Sequence, residues 1–114
     1  MSAVPHAVAP ALAALGDETR MRIVERLAVH GPLPIVRLAD GATMTRQAVT
    51  KHLDRLADAG VVRSERRGRE RVWILETTRL GDVRTYLERI STLWDRRIER
   101  LRALVEADGL ERER

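Results

Sequence analysis

A chain of 114 residues, 44% hydrophobic and 33% charged, suits one soluble folded domain whose core, lacking Phe, must come from Leu, Val, Ile and Ala. It has no cysteine, which excludes disulfides and thiolate metal sites; no run nears the roughly 20 apolar residues of a membrane span, and no signal-peptide pattern opens it, so a cytoplasmic location is expected. The net charge of +4 lies wholly in residues 44–71, where eight basic side chains (Arg46, Lys51, Arg55, Arg63, Arg66, Arg67, Arg69, Arg71) face four acidic ones (Asp54, Asp58, Glu65, Glu70), and the remaining 13 of 21 basic and 13 of 17 acidic residues cancel.

In chain order, His6–Leu15 is an Ala-rich apolar segment, predicted helical but interrupted by Pro10, and Gly16 ends it. Asp17 is placed to cap a second helix over Glu18–Val29, with Ile23, Val24, Leu27 and Ala28 inward. A short third helix is predicted over Pro34–Ala39, burying Ile35, Val36 and Leu38. Asp40–Thr43 then reads as a tight turn in which Gly41 takes positive φ.

The segment after that turn is the most informative. Thr45 is an N-cap and Gly60 a C-terminal stop. Between them Ala48, Val49, Leu53, Leu56 and Ala57 recur at helical spacing. Arg46, Gln47, Thr50, Lys51 and Asp54 fall on the opposite side. Hydrogen-bonding side chains on the first turns of a helix, with little apolar bulk, suit entry into a DNA major groove. Two helices joined by such a turn make a helix-turn-helix over residues 34–59.

Val61–Glu65 and Glu70–Leu75 are β-prone runs around Arg66-Arg67-Gly68-Arg69, which predicts a hairpin over residues 61–75 with an arginine tip. Directly after a recognition helix, such a hairpin is a wing whose arginines reach phosphates or the minor groove. A charged loop that only keeps an edge strand soluble is the plainer use. From about Arg79 to Ala107, Leu80, Val83, Leu87, Ile90, Trp94, Ile98, Leu101 and Leu104/Val105 step by three or four. A helix of that span, about 42 Å long, exceeds what so small a domain covers, so part of its stripe is expected to pack on a second copy, together with the N-terminal helix. Tyr86 and Trp94 read as dimer core by their spacing, an apolar ligand being the other use. The tail from Gly109 is expected to be disordered. The fold class predicted is mainly α (α+β): a single winged helix-turn-helix domain over residues 1–114 with a β-hairpin wing and a long C-terminal dimerisation helix.

These elements resemble the ArsR-type winged helix-turn-helix repressors. Leu12-Ala13-Ala14-Leu15-Gly16-Asp17-Glu18-Thr19-Arg20-Met21-Arg22-Ile23 matches their pattern L-x-x-L-x-D-x-T-R-x-x-I. Thr45–Leu53 is similar to S-x-x-A-V-S-x-H-L, and Leu56–Val62 to L-x-x-A-G-L-V. The resemblance runs over residues 10–107. Trp94–Leu101 resembles a non-metal subgroup often encoded beside small lipid-binding-type (SRPBCC) proteins. The resemblance implies a homodimer that binds double-stranded DNA at a palindromic operator and represses transcription. It places Thr45, Arg46, Gln47, Thr50, Lys51 and His52 on the DNA-reading helix and Arg66, Arg67 and Arg69 on the wing. It implies a dimer interface from the first and last helices, here Leu12, Leu15, Leu87, Ile90, Trp94, Ile98 and Leu101.

Many such repressors sense metals, and this chain departs from them. Their cysteine pair would fall near Pro34–Val36, where no ligand exists. A site on the last helix needs histidine, and that helix offers only Asp82, Glu88, Asp95, Glu99 and Glu106. No cofactor is expected, and the residues name no small-molecule effector. An enzyme is not expected either: there is no Ser-His-Asp or Cys-His arrangement and no phosphate-cradling Gly-rich loop. The alternative is a winged-helix protein-interaction module without DNA binding, against which Arg46, Lys51 and Arg55 weigh.

Overall fold

The computed structural model describes residues 6–40 and 43–113. They fall into two compact units, one through Val83 and one from Arg84. The first holds α1 (Val8–Leu15), α2 (Glu18–His30), β1 (Leu33–Pro34), α3 (Ile35–Ala39), α4 (Arg46–Asp58), β2 (Val62–Arg67), β3 (Glu70–Leu75) and the start of α5 (Thr77–Glu113). The strands form one antiparallel sheet in the order β1-β3-β2.

Helix α1 starts two residues later than His6, which leaves Pro10 in its first turn, where a missing N–H breaks no intrahelical bond. Asp17 caps α2: its Oδ2 accepts from the Arg20 backbone N–H at 3.0 Å. That bond is the main reason the Asp17 carboxyl titrates below its ordinary value of 3.8; partial desolvation opposes it, and the Arg20 guanidinium and His52 assist. A depressed carboxylate stabilises the fold fully above its unfolded pKa and ceases to as pH falls through the folded value. Asn caps as well as Asp without titrating. Melting temperatures of Asp17→Asn should therefore fall less than those of the wild type on acidification from about pH 6 to about pH 2.5. Equal falls in both proteins would remove Asp17 from the acid response.

Several expectations need correction. Ala28 is exposed, because the buried row of α2 is confined to Ile23 and Leu27 with Val24 half-buried. Helix α3 begins at Ile35, since Pro34 is extended (ψ 161°) and pairs in β1. A five-residue helix turns one narrow row inward, so Leu38 is buried, Ile35 half-buried and Val36 exposed. The turn centre at Gly41 lies outside the described residues.

The core joins Val8, Ala11 and Ala14 of α1 to Ile23, Leu27 and Leu38, to Val49, Leu53 and Leu56 of α4, and to Val61, Val62, Val72, Trp73 and Val83. Helix α4 ends in a Schellman arrangement: Val61 N–H donates to Leu56 O and Gly60 N–H to Ala57 O, both at 2.9 Å. Gly60 has φ 76°, and a Cβ there would stand 2.9 Å from Cζ of Arg79, whose Nη1 donates to Ala59 O at 3.4 Å. The positive φ is what favours glycine here, and the end of the flexible Arg79 side chain lies over it at the negative end of α4.

The second unit is the remainder of α5. Helix α5 starts before Arg79 and continues past Gly109 to Glu113, so the tail expected to be disordered is helical. Leu110, Glu111 and Arg112 are strong helix formers, and one glycine costs only about 1 kcal/mol relative to alanine. Arg84–Glu88 (3.0 Å), Arg102–Glu99 (3.6 Å) and Arg112–Asp108 (3.2 Å) pair along its surface. Leu87, Ile90, Leu93, Trp94, Leu101, Leu104 and Val105 are exposed.

Candidate nucleic-acid interface

The first turn of α4 is closed by a side-chain cap. Thr45 Oγ1 accepts from the Ala48 N–H at 3.1 Å. No acidic side chain lies in that turn, and Arg46 occupies its first position. A cation there opposes the helix dipole, and an incoming phosphate reverses that penalty. Arg46, Gln47, Lys51, Asp54 and Arg55 are exposed. Thr50 is half-buried, and its hydroxyl donates to Arg46 O at 2.8 Å, which leaves that oxygen available as an acceptor.

His52 stands apart from this outward row. It is half-buried, its Nδ1 lying 3.3 Å from Arg20 Nη1 and 3.8 Å from Asp17 Oδ2. A guanidinium only donates, so Nδ1 is the acceptor in that contact. Arg20 also donates through Nε to Ala14 O at 2.5 Å. The Arg20 side chain thereby ties the end of α1 and the side of α4 to the first turn of α2.

Arg26 braces the helix-turn-helix from α2, a role with no local sequence signal. Its Nη1 donates to Leu38 O and Asp40 O, both at 3.1 Å, at the end of α3. It lies on the side of α2 next to Ile23 and Leu27, where an arginine reads as an ordinary solvated residue.

The wing differs from its expected register. Arg66 and Arg67 lie in β2, and the turn is Gly68-Arg69 alone, with Arg67 opposite Glu70 and Arg66 opposite Arg71. Gly68 (φ 65°) supplies the positive φ that the first position of a two-residue II′ loop demands. Arg67 Nη2 stands 3.5 Å from Glu65 Oε2, Arg63 Nη1 stands 3.7 Å from the same oxygen, and Arg63 Nε donates to Glu76 Oε1. Among the described residues Arg66, Arg69 and Arg71 make no ion pair. Arg71 was absent from the expected wing set; a two-residue turn at Gly68-Arg69 would have placed it opposite Arg66.

Residues 15–65 match the model of a helix-turn-helix domain. The chain is 41% identical over 96 residues to the HTH-type transcriptional regulator Rv2034 of Mycobacterium tuberculosis, covering 84% of this chain and 86% of that protein. It superposes with a TM-score of 0.75 on an ArsR-like transcriptional regulator from Rhodococcus sp. RHA1, at 35% identity over 86% of this chain and 92% of the other. The chain belongs to the ArsR family of helix-turn-helix transcriptional regulators. This regulator also shares its fold with a homodimeric winged helix-turn-helix DNA-binding domain from Mycobacterium bovis (TM-score 0.59, 22% identity, 78% of this chain and 79% of that one). It is a DNA-binding transcriptional regulator, mostly helical with a small antiparallel sheet. The family is one of regulators and not a class of enzymes. Among the described residues of the regulator, no helix is long and apolar enough to cross a membrane.

Proposed function

We propose that this regulator acts in the cytoplasm as a homodimeric repressor on an inverted-repeat operator in double-stranded DNA, the whole chain working as one winged helix-turn-helix module. The observation that carries this reading is the exposed row Arg46, Gln47 and Lys51 behind the Thr45 cap, on the helix whose other side fills the core. Thr45, Arg46, Gln47, Thr50 and Lys51 enter the major groove. The wing, the hairpin that carries Arg66, Arg67 and Arg69, lies along the backbone beside it, and which of its arginines touch phosphate is taken up below. His52 supports the helix from its inner side through Arg20 and Asp17. Leu12 and Leu15 on α1, and separately Leu87, Ile90, Trp94, Ile98 and Leu101 on α5, are the apolar side chains a second copy covers. The homodimeric mycobacterial domain of the same fold supports that assembly.

The test is selection from a random duplex library with the purified protein, read by sequencing at two salt concentrations. The expected result is an inverted repeat whose half-sites lie about 34 Å apart, one helical turn. Salt-dependent binding with no enriched motif would reduce the reading to non-specific DNA association. No binding at either salt would favour the interaction-module alternative.

A further inference from the structure

The register of the β2–β3 hairpin divides its charge between two faces. Successive residues of a strand point to opposite sides of a sheet. Arg66 and Arg71 are directly opposite one another and share a face with Ser64 and Trp73. Arg63, Glu65 and Arg67 of β2 and Glu70 of β3 share the other face. There Glu65 lies within ion-pair distance of both Arg63 and Arg67, and Arg63 also holds Glu76. One face is therefore internally neutralised. The other carries two exposed guanidiniums held opposite each other, with no carboxylate paired to either among the described residues.

Like charges directly opposite on a hairpin are destabilising. Nothing within the wing relieves this pair, whereas phosphate oxygens between or beside the two guanidiniums would. We infer that Arg66 and Arg71 form the phosphate-contacting face of the wing and that Arg63 and Arg67 are structural ion-pair partners. This rests on the DNA-binding reading above and decides which arginines serve it. It moves the contact from the tip sequence alone to a cross-strand pair, one member of which lies beyond that tip.

The separating experiment measures binding of a labelled, mixed-sequence duplex of about 30 base pairs across a salt series, with thermal melts of the same proteins. Arg66→Ala and Arg71→Ala should each lower the slope of log affinity against log salt by about 0.9, which is about an eightfold loss at 0.1 M relative to 1 M salt. Arg63→Ala and Arg67→Ala should change the slope by less than half as much. Arg71→Glu replaces a repelling cross-strand pair with an attracting one. It should raise the melting temperature by about 1–4 °C while weakening binding more than Arg71→Ala does. That opposition of sign is the signature, because a residue with a merely structural role would move stability and binding together.

Equal slope changes for all four alanine variants would overturn the inference while leaving DNA binding intact. A fall in both stability and affinity for Arg71→Glu would do the same. Failure of the wild-type protein to bind the duplex at low salt would sink the DNA-binding reading and this inference with it.

Discussion

Replacing Gln47 or Lys51 with alanine is expected to weaken operator binding by about 1–3 kcal/mol each, roughly five- to 150-fold, without changing the melting temperature. Both side chains are exposed on the N-terminal half of α4, and neither takes part in the buried row Val49, Leu53 and Leu56. Their loss opens no cavity and strands no buried polar partner. The two losses should differ in kind. An amide at position 47 can accept from N6–H and donate to N7 on the major-groove edge of one adenine, so Gln47→Ala should relax preference at one base pair of the half-site. An ammonium is a compact point charge, so a Lys51 contact to phosphate would lower affinity for all sequences alike and reduce the salt slope by about 1. Arg55→Ala is the internal comparison. It is equally exposed but lies in the last turn of α4, away from the end that enters the groove, and its effect should be smaller. Equilibrium binding to the selected operator at fixed salt decides the matter. Unchanged affinity in both Gln47→Ala and Lys51→Ala would remove α4 as the reading element.

The parts of this fold that were legible in the sequence carry their own punctuation. Asp17 and Thr45 each announce a helix start, and each accepts the capping bond its position calls for. Gly60 announces a helix end and has the positive φ to make it. Between such marks the apolar spacing of α4 translates directly into burial. What was not legible lacks a local signal. Strand β1 is two residues with a proline, too short to show alternation, and exists because Leu33 and Pro34 lie beside Trp73 and Val72 of β3. Val36 is as apolar as Leu38, and only the elements packed against α3, chiefly α4, decide which of them is covered. The ends of α5 were misplaced because glycine and polar residues read as a stop, although charged residues sustain a helix whose surface is bathed in water. In the interface the outward row of α4 was legible and its supports were not. Arg26 and Arg20 act through backbone carbonyls more than five residues distant, and His52 owes its orientation to α2, not to its own helix. In the wing the extent of the strands was not legible: pairing carries β2 through Arg66 and Arg67, and this brings Arg71 opposite Arg66.

Charging the apolar row of α5 should disable the regulator without touching any residue that faces DNA. Leu87, Ile90, Trp94, Ile98, Leu101 and Val105 advance by 3, 4, 4, 3 and 4 residues. Eleven residues thus make three turns, close to the 3.6 residues per turn of an unstrained helix, so the row runs nearly straight and does not wind around the helix. Within it Leu87 is 49% exposed, Ile90 46%, Trp94 60% and Leu101 47%. A row this long and this open is unusual on a monomer, whose exposed apolar residues are scattered singly. A stable dimer buries about 1,200–2,000 Å² in total, and a tryptophan near the centre of such an area is a frequent hot spot. The double variant Ile90→Asp, Trp94→Asp should therefore be monomeric at micromolar concentration, where light scattering or sedimentation of the wild-type protein should give a dimer. Its operator affinity should drop by on the order of 10²–10⁴, because the second half-site no longer binds at the effective concentration set by the first. Binding to a single half-site should be nearly unchanged, which separates loss of assembly from loss of fold. The wild-type melting temperature should rise with protein concentration and that of the variant should not, since a partner that binds only the folded state stabilises it by mass action. If the double variant remains a dimer with full operator affinity, the assembly of this regulator uses another surface.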